Sequence, residues 1–327
     1  MNSSNESVKM MDKSIKVTII CATYNHEDYI ADALDGFLMQ KVDFEYEIIV
    51  HDDASTDKTA EIVKKYEKQY PEVIKAIYQE ENQYSKKIPI MREYIFPRVR
   101  GKYIAMCEGD DYWIDPLKLQ KQVDYMEQHP ECSACYGSVK IIAAKTKEIL
   151  GEIKIKESNT YLSTEECILK CLPQTSTFLV RTVVMLQKPD FMYKTPVGDV
   201  MNLNWVAING KVYYFSDYFS YYRSEVPGSW TMRMEKDEKM RNEHRVQMKK
   251  AFIQLDEYTN YKYHDLLKVK ISGYDIEDLK KRKQIIKLLK NDRFRYSSKR
   301  NQIVWILEAL VPNIIQLYRK LKYKERK

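Results

Sequence analysis

Apolar and polar positions alternate in blocks through the first 115 residues of this chain. Residues 15–22 and 46–50 are β-branched apolar runs of the length of buried strands, and residues 73–78 and 103–107 repeat the pattern. Between the first two runs, apolar residues recur at helical spacing, at Ile30, Ala33, Leu34, Phe37 and Leu38. Strands that alternate with helices predict an α/β fold, with a mostly parallel sheet covered by helices on both faces.

The pattern of the middle of the chain continues this domain. A helix is predicted over residues 115–129, with a proline in its first turn. Residues 134–143 and 149–155 are extended runs that predict a hairpin. A helix near residues 199–208 and a strand near residues 211–215 complete the predicted elements.

After residue 230 the chain becomes rich in lysine, and its pattern is helical. Residues 231–327 hold 26 Lys and Arg against 13 Asp and Glu, whereas the first 230 residues hold 28 against 34. We therefore predict a flexible N-terminal tail over residues 1–14, a domain over residues 15–230 and a basic helical extension over residues 231–327.

The hydropathy of the chain and its cysteine content indicate the cellular compartment in which the protein lies. The chain has no run of eighteen apolar residues, and its polar N-terminus lacks the apolar core of a signal peptide. Six cysteines are scattered along the chain. Cys132 and Cys135 form a CxxC motif, but no second pair completes a zinc site. These features predict a cytoplasmic protein with reduced thiols.

Two acidic pairs come directly after predicted strands, Asp52-Asp53 and Asp110-Asp111. Ligands of open α/β sheets bind beyond the carboxyl ends of the strands, so both pairs are candidate site residues. Asp110 and Asp111 suit Mg²⁺ or Mn²⁺, which prefer oxygen ligands, and a solvated acidic turn is the alternative. Asp53 suits the base or ribose of a nucleotide, and a helix cap is the alternative.

Asp199 is a further candidate, because it follows Gly198 at the start of a predicted helix. A positioned carboxylate there can act as a general base toward a hydroxyl. The alternative is an N-cap that interacts favourably with the helix dipole.

Three stretches carry a resemblance to a known family. In chain order they read VTIICATYNHEDYIADALDGFLMQ, YEIIVHDDASTDKTAEIV and GKYIAMCEGDDYWIDPLKLQKQVDYM. Together they closely resemble the family 2 glycosyltransferases of the GT-A fold, of the type that builds bacterial surface polysaccharides. The resemblance is strong over residues 15–130 and traceable to about residue 230. It implies a Rossmann-like sheet, with donor binding over residues 15–115 and the acceptor side over residues 116–230.

The resemblance also implies an activity and residue roles. The enzyme would move a sugar from a nucleotide diphosphate, UDP by preference, to an acceptor hydroxyl with inversion, using Mn²⁺ or Mg²⁺. Ala22 and Tyr24 would line the donor site, and Asp53 would bind the uracil or thymine base. Asp110 would contact ribose or metal, and Asp111 would bind the metal.

Three further roles follow from the resemblance. Asp199 looks like the catalytic base of the family. The strict DxD spelling is absent, so Glu108 is a possible second contributor to the metal site. The acceptor side would include Thr175, Ser176 and Thr177.

The basic extension leaves alternatives open. A helical Lys/Arg-rich segment suits an anionic membrane surface, where a lipid-linked saccharide acceptor would lie, and Trp305 would suit the membrane interface. A solvated appendage packed on the domain is the alternative.

Two other classes of protein compete with the glycosyltransferase. A nucleotidyltransferase of similar fold would need a Gly-rich loop after the first strand, which residues 22–25 do not supply. A nucleic-acid-binding module would use the basic extension but would leave the ordered carboxylates without a purpose, so no nucleic-acid partner is expected.

Overall fold

A single sheet of ten strands organises the N-terminal part of the fold within residues 14–170 and 174–312, which are the residues that the computed structural model describes. The strands are β1 (Ile15–Thr23), β2 (Glu45–Asp52), β3 (Ile74–Tyr78), β4 (Tyr103–Met106), β5 (Tyr112–Trp113), β6 (Cys132–Ala143), β7 (Ile149–Ile153), β8 (Thr160–Leu162), β9 (Leu179–Arg181) and β10 (Lys211–Ser224). Their order is β3-β2-β1-β4-β9-β6-β10-β5, with β7 paired to β6 and β8 paired to β10.

The first half of the sheet is parallel, as the alternating pattern predicts. β1 lies between β2 and β4, and β3 pairs with β2, all in the same direction. Parallel neighbours end at the same edge of the sheet, so the segments that follow β1, β2 and β4 meet there. This edge carries both acidic pairs.

The second half of the sheet mixes the two directions. β10 runs parallel to β6 but antiparallel to β5 and β8, and β9 is antiparallel to both β4 and β6. The predicted hairpin is confirmed, since β6 and β7 pair antiparallel. The predicted strand over residues 211–215 was too short, because β10 continues to Ser224. Register shifts between Phe215 and Ser220 interrupt the alternation that would have marked the rest of this strand.

Helices cover both faces of the sheet, as predicted. They are α1 (Ile30–Leu38), α2 (Thr59–Gln69), α3 (Lys118–Gln128), α4 (Thr164–Leu169), α5 (Thr182–Leu186), α6 (Gly198–Ile208) and α7 (Trp230–Lys236). Val17, Ile19 and Cys21 of β1 pack with α1, α2 and α3, whereas Ile20 faces the opposite core, which contains α4, α5 and α6. Alternate side chains of one strand therefore supply two separate cores, which explains why β1 is apolar throughout.

The chain divides into two compact units between Glu238 and Lys239. The described part of the C-terminal unit is helical and comprises α8 (Glu238–Tyr258), α9 (His264–Gly273), α10 (Ile276–Lys281), α11 (Ile285–Lys290), α12 (Asp292–Tyr296) and α13 (Lys299–Leu310). A small core joins the last four helices through Ile276, Leu288, Phe294 and Ala309. Within residues 14–170 and 174–312, no helix has both the length and the apolar character needed to span a bilayer. The predicted tail over residues 1–14 lies almost wholly outside the described residues.

Candidate active site

The candidate site lies at the carboxyl edge of the parallel strands. Two segments there are named by their residues: the first acidic turn is Asp52-Asp53, and the second acidic turn is Glu108 to Asp111. β1 pairs with β2 up to the contact of Thr23 with Asp52, and the second acidic turn follows the end of β4. The shared direction of these strands therefore brings both acidic turns, the candidate site residues, to one edge of the sheet.

Gly109 holds the second acidic turn against β1. Its N–H donates to the carbonyl oxygen of Ala22 at 3.0 Å. A Cβ at this position would lie 2.7 Å from Oγ1 and 2.9 Å from Cβ of Thr23, closer than real Cβ atoms approach. Only glycine allows the turn to lie this near to the strand. Glu108 and Asp110, which flank Gly109, are therefore held close to the end of β1.

Two carboxylates of the second acidic turn have no hydrogen-bond partner among the described residues, those of Glu108 and Asp110. Glu108 keeps solvent-accessible surface, yet protein atoms crowd around it. Desolvation, followed by the charges of Asp110 and Asp199, raises the pKa of Glu108 to about 8. Asp110 and Asp199 therefore lie close enough to Glu108 for their charges to act on it, and no described cation bonds the carboxylate of Glu108 or Asp110.

Asp111 points inward and is only 5% exposed. Its Oδ1 accepts the backbone N–H of Arg223 at 2.8 Å, and its own N–H donates to the carbonyl oxygen of Glu108 at 3.1 Å. Burial and then the charge of Asp110 raise the pKa of Asp111 well above its usual range, while the bond to Arg223 opposes this shift. Of the two adjacent aspartates, Asp110 is the more accessible, and Asp111 keeps only Oδ2 for a ligand.

Arg223 is a site residue that the sequence patterns do not reveal. Its guanidinium is fully buried behind the second acidic turn, where Nη1 donates to the carbonyl oxygen of Asp110 at 2.6 Å and Nη2 pairs with Asp32. The guanidinium carbon lies 5.1 Å from the ring centre of Tyr29 and 4.5 Å from that of Tyr112. Arg223 is the penultimate residue of the tyrosine-rich strand β10 and lies more than 100 residues from the second acidic turn, so no local signal links the two.

The carboxylate oxygens of the first acidic turn accept hydrogen bonds from other groups of the protein. The two carboxylate oxygens of Asp53 accept the backbone N–H groups of Gln83 and Tyr84 at 2.8 and 3.0 Å. Asp52 accepts the hydroxyl of Ser55 at 2.5 Å. Asp53 therefore fixes the loop at residues 82–84 and caps no helix, so the cap alternative is wrong. Recognition of the base by Asp53 stays a prediction.

Asp199 lies in the first turn of α6 and approaches the second acidic turn. The N-cap of this helix is Val197, so Asp199 is not the cap. Its Oδ1 accepts the N–H of Val200 at 2.7 Å, and burial raises its pKa above the usual range of an aspartate. Because the charge of Asp199 raises the pKa of Glu108, the two carboxylates are near each other. A carboxylate with a raised pKa is a stronger base, which suits proton transfer.

The remaining predicted site residues fall into two groups. Ala22 is partly exposed at the end of β1, and Tyr24 is 42% exposed beside it. By contrast, the hydroxyl of Ser176 bonds that of Ser220 at 2.7 Å, and the hydroxyl of Thr177 accepts a backbone N–H at 3.1 Å. Ser176 and Thr177 are buried, so of the predicted acceptor residues only Thr175 is partly accessible to solvent.

The oxygen donors of the second acidic turn fit a divalent cation. Among the described residues no ready-made group of three or more His, Cys, Asp or Glu ligands surrounds one point. The unpaired carboxylates of Glu108 and Asp110, with Oδ2 of Asp111, are nevertheless the hard donors that Mg²⁺ and Mn²⁺ prefer. These cations usually take few protein ligands and complete their shell with phosphate and water.

The family model for glycosyl transferase family 2 matches residues 18–184. The chain therefore belongs to the glycosyl transferase family 2, which confirms the family that its motifs resemble. The match begins within β1, includes both acidic turns and β9, and ends within α5. Asp199 and Arg223 lie beyond it.

Relatives of this chain extend the comparison. The uncharacterized protein Mb1547 of Mycobacterium bovis is 34% identical over 224 residues, which cover 65% of this chain and 60% of that protein. The chain thus matches about three fifths of the length of this relative. The UDP-Glc:alpha-D-GlcNAc-diphosphoundecaprenol beta-1,3-glucosyltransferase WfaP of Escherichia coli is 35% identical over 111 residues, 34% of this chain and 41% of that protein.

A solved structure shares the fold. TarS 1–349 of S. aureus, in complex with UDP-GlcNAc, superposes with a TM-score of 0.61 at 18% sequence identity, over 90% of this chain and 80% of that one. At this identity the likeness supports the fold alone, and it confirms the GT-A architecture that the motifs imply.

Proposed function

We propose that this chain transfers a sugar from a nucleotide diphosphate donor, a UDP-sugar by preference, to an acceptor hydroxyl with inversion of the anomeric carbon. The observation that carries the proposal is the set of unpaired carboxylates, Glu108 and Asp110, with Asp199 beside them at the carboxyl edge of the sheet. The family membership and the names of WfaP and TarS 1–349 support the class of donor.

The donor side is assigned to residues 15–115. Ala22 and Tyr24 border the space beyond β1, and Asp53 contributes both to the loop at residues 82–84 and to the base. Glu108, Asp110 and Oδ2 of Asp111 would hold Mn²⁺ or Mg²⁺. When bound, the cation would offset the negative charge of the departing diphosphate.

The acceptor side is assigned to residues 116–230. Asp199 accepts the proton of the acceptor hydroxyl, and the hydroxyl oxygen attacks the anomeric carbon from the face opposite the diphosphate. The bond from that carbon to the diphosphate oxygen breaks, so a single displacement inverts the configuration. Thr175 is assigned to this side because it is the one member of the predicted acceptor group that is not buried.

The acceptor is proposed to be a saccharide, carried by a lipid, in surface-polysaccharide or lipopolysaccharide assembly. WfaP supports this proposal, since its name specifies a diphosphoundecaprenol-linked acceptor. A lipid-linked acceptor requires an enzyme that reaches the membrane surface, and the location proposed for this chain is the cytoplasmic side of that membrane.

Calorimetric titration of UDP, dTDP and GDP, each with and without Mn²⁺, tests the donor site. We expect UDP to bind in a Mn²⁺-dependent way, and the Asp110→Asn variant to lose this binding. Asp43→Asn is the matched control, because Asp43 is an exposed acid outside the acidic turns. Binding of no nucleotide under either condition would overturn the proposal. Pyrophosphate release from a nucleoside triphosphate would favour the nucleotidyltransferase instead.

A further inference from the structure

Helix α13 in the C-terminal unit exposes an apolar stripe. Ile303, Leu307 and Leu310 are 58%, 39% and 52% exposed. At 3.6 residues per turn, positions i, i+4 and i+7 fall within roughly 60° of one another, so the three side chains share one side of the helix. Large side chains that repeat at helical spacing and remain exposed indicate a surface that contacts something other than water.

The opposite side of α13 already has its packing partners. Ala309 is fully buried in the core of the last four helices, and Trp305 and Ile306 pack against it. The ring of Trp305 lies 6.2 Å from that of Phe294. Packing in this core occupies part of the Trp305 side chain, and its location at a membrane interface stays a prediction. The core of the unit uses one side of α13 and leaves the stripe uncovered within the described residues.

Positive charge borders the stripe. Lys299 and Arg300 lie one turn before Ile303, are exposed and form no ion pair with any residue that the structure describes. By helical geometry they project to either side of the stripe. Residues 239–312 as a whole hold 18 Lys and Arg against 9 Asp and Glu. An apolar stripe between cations complements an anionic lipid surface, whereas a second copy with the same excess charge would be repelled.

We propose that the outer side of α13 docks on an anionic lipid bilayer. Ile303, Leu307 and Leu310 enter the boundary between headgroups and acyl chains, and Lys299 and Arg300 contact anionic headgroups. This inference deepens the membrane location of the proposed function. It is tested without nucleotide or sugar, so that its failure and the failure of the donor site are distinguishable.

Co-sedimentation of the full chain with vesicles tests the docking surface. We expect binding to vesicles that contain phosphatidylglycerol, weak binding to pure phosphatidylcholine, and release of the bound protein by salt. The variant with Ile303→Ser, Leu307→Ser and Leu310→Ser should bind at least about tenfold more weakly, because burial of apolar area contributes much of the affinity of interfacial helices.

A matched control removes the same number of exposed apolar side chains from α8, by Val246→Ser, Ile253→Ser and Tyr258→Ser. This control should bind vesicles as the unmodified chain does. A second variant, Lys299→Gln with Arg300→Gln, should weaken binding to the anionic vesicles and reduce its salt dependence. Circular dichroism of each variant verifies that the helices are retained.

Two outcomes would overturn the proposal. In the first, the stripe variant and the α8 control bind vesicles equally, which would show that α13 is not the contact. In the second, the unmodified chain does not bind vesicles but self-associates with rising concentration, and the stripe variant does not self-associate. The stripe would then be an interface between copies.

Discussion

The two acidic turns come from similar sequences at the same edge of one sheet, yet the structure uses them differently. In the first acidic turn, Asp53 accepts two backbone N–H groups from a loop thirty residues away, and Asp52 accepts Ser55. In the second, Glu108 and Asp110 keep their carboxylates unpaired. The same residue type is thus mainly structural in one place and available to a ligand in the other.

The difference comes from the donors that reach each turn. Backbone amides approach the first turn and occupy the carboxylate oxygens of Asp53. The second turn receives cationic support from Arg223 only at a carbonyl oxygen of the backbone, so the side chain of Asp110 is held in position without being neutralised. A preorganised but uncompensated negative charge suits a divalent cation, and a bound cation could in turn hold the diphosphate.

Asp199 gives the largest effect, because it approaches the second turn and not the first. Asp199→Asn should lower kcat by about two to four orders of magnitude, since an amide cannot accept the acceptor proton. Mn²⁺-dependent UDP binding should be unchanged. Turnover of the purified variants is measured with Asp190→Asn, an exposed acid, as the control. A kcat within a few-fold of the unmodified enzyme would remove Asp199 from the chemistry.

Arg223 should give the second-largest effect, because its buried guanidinium donates to the backbone of the second acidic turn. Arg223→Met should lower the free energy of unfolding by about 1–3 kcal/mol, since it leaves the carbonyl oxygen of Asp110 without its donor and removes one of the two cations that pair with Asp32. Lys147 pairs with the same Asp32 from the surface at 2.8 Å. Lys147→Met should therefore cost under about 1 kcal/mol. Urea denaturation measures both, and equal losses would contradict the structural role of Arg223.

Substitutions of Asp53 and Asp110 test the difference between the two acidic turns most directly. Asp53→Asn should lower the free energy of unfolding by about 1–3 kcal/mol, because an amide oxygen can satisfy only one side of a pair of buried N–H donors. Asp110→Asn should leave stability unchanged or raise it, since it removes a repelling charge near Glu108. Denaturation with Asp43→Asn as reference checks both. A larger loss for Asp110→Asn than for Asp53→Asn would reverse the assignment.

The smallest effect is on pH dependence. Burial raises the pKa of Asp199, and only its deprotonated form can accept a proton. As pH falls through this raised pKa, kcat should therefore decline, and the decline should begin at a higher pH than for an ordinary aspartate. The residual kcat of Asp199→Asn should lack this acid limb. An identical limb in the variant would assign it to another group.

Much of the fold follows from local pattern. The strands of the parallel half, the helices between them and the β6–β7 hairpin are each marked by the period of their apolar residues, because each buries at least one face. The long strand β10 was not predicted beyond Phe215, since shifts in its register scramble the alternation. Strand ends and the motifs together located both acidic turns.

The sequence by itself determined that Asp52-Asp53 and Glu108 to Asp111 follow parallel strands and therefore meet at one edge. Gly109 lies within the second turn, and its lack of a side chain lets that turn approach β1. Only the tertiary structure decided which oxygens stay free, because the partners of Asp53 and Asp111 come from loop residues 83–84 and from Arg223, remote in the chain. Hydrogen bonds between distant segments depend on the folded arrangement, and no local pattern encodes them.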